Sequence, residues 1–376
     1  MPRPVINLDL LSTAPLPKNE PTDRDSLDEA REAFRKLIGA AYADEIFFTS
    51  SATESANWAL KGLAWPAALN GKKHLVLSCV EHPAVEESAR YLESTGCSVA
   101  RLGVDGFGRI TLEHLQKALQ PDTFLVATHL GNYDVGTLQP VREISAICQE
   151  KKIPFFCDAS TTGGWLPINV QELGCDLLSL APHRFYGPQG VGVLYVRRGL
   201  KLTPLIHGGR QEFQQRAGME NSRGVIGAGL AAKMAWEALP ERSIKCRELQ
   251  SLFLEKLGSA VTQWKLNGAF SGSERDPHHL SISFLHVEAE ALALRLDLRG
   301  IKVGANTGCR TRELRTSRVL NVLGVELEWA LGTVLIGLSD KLSEEDVSRA
   351  VDEIAIAVGK LRGMSSAWKA ESVTSL

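Results

Sequence analysis

Five segments of this chain set chemically capable side chains beside apolar runs or clustered charges. Thr49 to Ser55 (TSSATES) offers hydroxyls and, if it opens a helix, free N–H groups that could cradle a phosphate. A Ser/Thr cap serving the helix alone is the competing reading. Cys79 to Ser88 (CVEHPAVEES) holds His82 between an apolar run and a helical pattern, where an imidazole either stacks on an aromatic ligand or is merely solvated. Phe155 to Thr161 (FFCDAST) puts Asp158 at the end of a very apolar run, a carboxylate whose place demands a cationic or donor partner, from the protein or from a cofactor. Leu180 to Val196 carries His183 and Arg184 into a glycine-rich turn. Cys309, in GANTGC, is followed by Arg310, Arg312 and Arg315; an exposed thiol among three guanidiniums has a lowered pKa and more thiolate.

The elements that must position these groups follow from apolar patterning. Strands are expected at 45–49, 74–79, 98–102, 124–130, 153–159, 177–181 and 192–196, with helical stretches near 54–64, 84–95, 112–119, 141–151 and 169–173. A first helix is expected to start at Ser26, which with Glu29 has a capping-box pattern. Strands apolar on both faces, alternating with helices, predict a mainly parallel seven-stranded sheet sandwiched by helices. In such a sheet, ligands bind beyond the carboxyl ends of the strands. After Gly227 a long helix, 227–258, leads to a strand at 279–285, a helix at 288–299, a strand at 301–304 and a last helix from Ser343, a smaller α+β C-terminal domain. The expected division is a large domain over 14–240, a small domain built from 1–13 and 241–364, and a loose tail at 365–376.

Composition narrows the function classes. The chain has 376 residues, 44% hydrophobic and 23% charged, and a formal net charge of −2, which argues against disorder and against nucleic-acid binding. No apolar run is long enough for a bilayer and no signal-peptide pattern opens the chain, so a cytoplasmic protein without a membrane partner is expected. The seven cysteines form no CxxC pair, and no metal site is expected. Six of them read as packing residues, leaving Cys309 as the exception.

Taken together, these segments resemble the fold-type I pyridoxal phosphate (PLP) enzymes, and within them the NifS/IscS-like cysteine desulfurases of aminotransferase class V. The resemblance runs from about Ile6 to about Val351 and includes GNYDVGTLQP (131–140), GGRQEFQQRAGMEN (208–221) and SRVLNVLG (317–324). It implies that Ala52 and Thr53 hold the cofactor phosphate, that His183 lies beside it, that His82 stacks on the pyridine ring, and that Asp158 pairs with the ring nitrogen. Cys309 falls at the position of the family's persulfide-forming cysteine.

The departures from the family pattern are as informative. The lysine that forms the family's Schiff base is here Arg184, and a guanidinium stays protonated, so it neither forms an imine nor acts as a general base. The motif serine is Ala181, the glutamine after the aspartate is Thr161, and the asparagine-glutamate pair is Tyr133-Asp134. The threonine lent by the partner subunit is Met219, and the carboxylate-binding arginine is Leu335. A glycine, asparagine and serine-rich stretch that the family carries before the first helix is missing, and its asparagine-alanine-alanine-threonine is Leu10 to Thr13.

The resemblance therefore implies a cysteine desulfurase-like protein of sulfur metabolism, degenerate at its pocket and unable to perform ordinary Schiff-base catalysis. Its expected roles are scaffold, sulfur acceptor or partner of an active desulfurase. The alternative is an active enzyme of unusual mechanism, with PLP or pyridoxamine phosphate held noncovalently and persulfide chemistry at Cys309. PLP is the implied cofactor, not covalently bound, with no cofactor at all as the other outcome. The implied assembly is a homodimer or a heterodimer with an active paralogue, with a sulfur-acceptor protein as further partner.

Overall fold

A computed structural model describes residues 6–7, 25–270, 272–305, 316–365 and 368. The large domain is a seven-stranded sheet in the order β2-β8-β7-β6-β5-β3-β4. Its strands are β2 (Ile46–Thr49), β3 (His74–Ser78), β4 (Ser98–Leu102), β5 (Thr123–His129), β6 (Phe155–Asp158), β7 (Leu177–Leu180) and β8 (Gly192–Val196). Each lies within a residue or two of its predicted segment. Only β8 runs against the others, pairing antiparallel with both β2 and β7.

Alternation along these strands feeds two separate cores. Phe48, Val76, Val126, Cys157, Leu178 and Val193 face one core, with α1 (Asp25–Ile38), α5 (Val141–Glu150) and α6 (Val170–Leu173). Phe47, Leu75, Leu77, Leu125, Phe156 and Leu194 face the other, with α2 (Ala52–Leu69) and α3 (Pro83–Ser94). Burial on both faces explains why the strands read as continuous apolar runs. The edge strand β4, flanked by α4 (Leu112–Ala118), is half exposed.

Helix α1 already includes Asp25, so Ser26 lies within it and does not cap it; spacing alone does not separate a cap from a first-turn serine. After the short turn α7 (Gln211–Gln214), helix α8 (Ser222–Ala260) starts five residues before the predicted one. Gly224, Gly227 and Gly229 interrupt its apolar pattern, and Gly229 allows α1 to come so close that a Cβ there would sit 2.4 Å from Ala30 Cβ. At 39 residues α8 spans roughly 58 Å. Val225, Ala228 and Ala232 belong to the large-domain core, and Leu249, Phe253 and Leu257 to that of the small domain.

The smaller C-terminal domain holds an antiparallel sheet in the order β12-β13-β10-β9. These strands are β9 (Trp264–Leu266), β10 (His279–Phe284), β12 (Gly304–Ala305) and β13 (Thr333–Gly337). They pack with α9 (Ala289–Asp297), α11 (Leu327–Ala330) and α12 (Glu344–Met364). The expected strand at 301–304 is divided at Val303: β11 (Ile301–Lys302) pairs in parallel with β1 (Ile6–Asn7), while β12 joins β13. The sequence pattern does not predict β9, three residues long, or the short run of β13.

Two glycine substitutions separate packing from propensity. Gly229→Val should lower stability by about 1–3 kcal/mol, because the added methyls meet Ala30. Gly359→Ala, in α12 with nothing within 4 Å of the added Cβ, should raise it by about 0.5–1 kcal/mol. Denaturant midpoints of the two variants should therefore move in opposite directions.

Candidate functional site

Because β2, β3, β5, β6 and β7 point the same way, their carboxyl ends meet along one edge of the sheet. One cavity lies there, with about 670 Å³ of space free of protein atoms, counted out to its mouth. Each strand contributes to it: Ser51, Ala52 and Thr53 after β2, His82 after β3, His129, Gly131 and Tyr133 at the end of β5, Asp158, Ser160 and Thr161 after β6, and Ala181, His183 and Arg184 after β7. The predicted Ala52, Thr53, His82, Asp158, His183 and Arg184 are thus brought together. Cys309 and the arginines that follow it lie outside the described residues, as do Leu10 to Thr13.

At the β2 end, Ser51 caps α2 by accepting the Glu54 N–H at 3.2 Å. Ala52 and Thr53 are the first two residues of the helix, so their N–H groups have no intrahelical acceptor. Their neighbour Glu54 would oppose an anion, but Arg216 pairs with it at 2.8 Å and Ser50 N–H donates to it at 2.7 Å. These contacts outweigh the upward push of burial and hold its carboxyl below the usual range. The backbone loop is pressed against β8: a Cβ on Gly192 would fall 2.1 Å from the Ser51 carbonyl carbon.

His82 is the N-cap of α3, its Nδ1 accepting the Ala84 N–H at 3.1 Å, which leaves the ring proton on Nε2. Burial lowers its pKa, and Arg184 adds to the effect while Asp158 opposes it. Tyr133 meets the ring edge-to-face, with centroids 5.0 Å apart. Asp158, 7% exposed, accepts hydrogen bonds at Oδ1 from Ser179 Oγ at 2.7 Å, Ser160 N–H at 3.0 Å and Ser160 Oγ. The cationic or donor partner expected from sequence is therefore, among the described contacts, a pair of serines.

His183 and Arg184 sit on a 3₁₀ turn, Pro182–Phe185, after β7. Tyr186 ends that turn in the left-handed region, and Trp165 Nε1 donates to the Arg184 carbonyl at 2.9 Å. Burial and the neighbouring Arg184 push His183 down to about 4, so it is neutral at pH 7.

Several contributors carry no sequence signal that isolates them. Glu81 Oε1 accepts from His129 Nδ1 at 2.9 Å, although the two are 48 residues apart, and Gln139 Nε2 lies 3.0 Å from His129 Nε2. The amide donates to Nε2, which fixes the imidazole in its Nδ1–H form. Arg318, first residue of α10 (Arg318–Val322), donates to the carbonyls of Cys79 at 2.9 Å and of Glu81, gripping the loop that ends at His82. Ser317 Oγ donates to Asp134, tying the same helix start to the loop after β5. Thr161 Oγ1 donates to the Gly131 carbonyl at 2.8 Å. Met219 is 88% exposed and Leu335 sits in β13; neither lines the cavity. Burial pushes the thiols of Cys148, Cys175 and Cys246 up to about 12, the behaviour of packing cysteines.

The pKa shifts predict a signed pH dependence. His82, His183 and His279 are lowered from 6.5, His183 to about 4 and His279 to about 3. Between pH 6.5 and about 4 the unfolded chain takes protons that the fold refuses, so these three cost stability on acidification. Buried Asp134 is raised from 3.8 to about 7; between those values the fold takes a proton the unfolded chain does not, and stability rises on acidification. Asp134→Asn should abolish this compensation. Its denaturation midpoint is expected to fall more steeply than that of the unaltered protein between pH 7.5 and pH 5.

Comparison with known proteins gives a consistent picture. Residues 21–350 match the family model described as aminotransferase class-V. The cysteine desulfurase IscS of Dictyoglomus turgidum (strain DSM 6724 / Z-1310) is 41% identical over 349 residues, 92% of this chain and 88% of that protein. That of Methanosarcina thermophila is 37% identical, over 92% of this chain and 84% of its own length. A solved NifS-like protein superposes with a TM-score of 0.85 at 31% identity, covering 95% of this chain and all of the other.

Proposed function

The chain belongs to the aminotransferase class-V family, and from that membership we propose that it is a degenerate cysteine desulfurase homologue that has lost the covalent cofactor link. One observation carries this reading: none of the described residues lining the cavity is a lysine, and Arg184 stands at the end of β7. A guanidinium holds its proton at every accessible pH, so Arg184 can bind and orient an anion but cannot carry a proton to and fro. Leu335 and Met219, in place of the family's arginine and threonine, support the same reading. We assign the chain a role as scaffold, sulfur acceptor or subunit of a dimer with an active relative.

The cavity still fits PLP without the covalent link. The Ala52 and Thr53 N–H groups suit its phosphate, His82 its ring face, and Asp158 its ring nitrogen, with Ser160 and Ser179 fixing the carboxylate. Bound there, the cofactor would supply an electron sink. This fit favours the second reading, an enzyme of unusual mechanism. In it the neutral His183 is the nearest base and Cys309 the sulfur-bearing thiol.

Borohydride treatment of the protein mixed with PLP, followed by peptide mass analysis, should find no cofactor attached within residues 180–187. The chain alone should release sulfide from cysteine only at background rate. Sulfide release that Cys309→Ser abolishes would defeat the degenerate reading. In Arg184→Lys a cofactor absorbance band should appear; its absence would mean that the rest of the pocket has decayed as well.

A further inference from the structure

We propose that Arg318 is a positioning residue for His82: it fixes the segment that brings the imidazole to the cavity, and so sets how tightly an aromatic phosphate ligand binds there. The inference rests on the reading above in which a pyridine ring lies against His82. Sheet pairing does not extend to this histidine. β3 ends at Ser78, and the next backbone tie is the Cys79 N–H donating to the Leu102 carbonyl at 2.9 Å. Beyond it, three successive carbonyls are taken up by side chains. Arg318 donates to Cys79 at 2.9 Å and to Glu81, while Asn132 Nδ2 donates to Val80 at 3.1 Å.

The freedom left to His82 is small. Pro83 restricts the residue before it to extended backbone, and His82 has φ −60° and ψ 146°. Its Nδ1 accepts the Ala84 N–H at 3.1 Å, which holds the side-chain rotamer. The direction of the ring therefore follows from how the carbonyls of residues 79–81 are held. One guanidinium grips the chain on both sides of the histidine. Its two terminal nitrogens reach the Cys79 and Glu81 carbonyls before it, and Nη1 lies 3.6 Å from Glu86 in the first turn of the helix after it. A planar fork bridges two acceptors in a fixed geometry that a single ammonium does not reproduce.

The base that carries this fork is itself anchored. Ser317 Oγ caps α10 by accepting the N–H groups of Val319 and Leu320, at 3.1 and 3.3 Å. Both residues are fully buried, in one apolar cluster with Val80 and Val135. Arg318 thus starts from a fixed point on the same loop that it holds. Cys79, Glu81 and Glu86 are not among the described residues lining the cavity. Through them, Arg318 acts on a ligand by way of the histidine they flank.

A double-mutant cycle on the full chain tests this, with 4′-deoxypyridoxine 5′-phosphate as the ligand in titration calorimetry. That probe has no aldehyde, so its affinity stands apart from the question of a covalent link. Arg318→Met and His82→Ala should each weaken binding about three- to tenfold. The double variant should bind no more weakly than His82→Ala alone, and Arg318→Lys should fall between Arg318→Met and the unaltered protein. Losses that add would overturn the inference, because Arg318 would then act by another route; so would an Arg318→Met variant that binds the probe as the unaltered chain does. Amide hydrogen exchange without ligand gives a second measurement. The Ala84 N–H, which donates to His82, should exchange at least about threefold faster in Arg318→Met while the amides of α12 keep their rates, and unchanged exchange at Ala84 would overturn the inference. If the unaltered chain binds no probe, the reading of a ring ligand fails, and exchange at Ala84 decides the positioning role by itself. Should Arg318→Met not fold, Arg318→Lys carries both measurements.

Discussion

Everything in the cavity depends on one directional constraint. Six strands of the large sheet run the same way, so six chain segments must leave the core at the same edge, each on its way into a turn or helix, and five of them line the cavity. Backbone groups freed at those exits need partners, and polar side chains gather there because the interior will not take them. Helix α2 adds unpaired N–H groups, α3 adds a capping histidine, and the turn after β7 adds a cation. β8, the strand that runs the other way, closes this edge with Gly192 and lets the Ser51 loop lie against the sheet.

The electrostatics of the site follow from how that edge is buried. Three acidic side chains at or near it are each engaged by different means: Asp158 by serine hydroxyls, Glu54 by Arg216, Glu81 by the His129 imidazole. Burial disfavours the charged forms of His82 and His183, with His82 accepting from the α3 backbone, while His129 donates to Glu81. The Arg318 contacts join the small domain to this arrangement through main-chain carbonyls, so the loop bearing His82 is held from both sides.

The sheet was legible in the sequence because burial on both faces leaves an uninterrupted apolar run, and such runs were bounded by polar residues that proved to be the cavity wall. Helix boundaries were less so: Ser26 looks like a cap, and three glycines hide the start of α8, since contact with α1 there calls for small residues and not for an apolar stripe. Pairings such as Glu81 with His129, or Arg318 with the Cys79 carbonyl, join positions far apart in the chain and leave no periodic trace. The interest of Arg184 comes from a match of motif to motif, because spacing alone does not assign a cation its role.

The hydrophobic clusters of the large domain are assembled without His82, Asp158, His183 or Arg184. Residues that do chemistry and residues that hold the fold therefore answer to different demands. A lineage can exchange the former one at a time, and the chain will still reach its native shape and remain available as a binding surface. Loss of a reaction in such an architecture need not be the end of a gene's usefulness, for the scaffold survives each step of the drift.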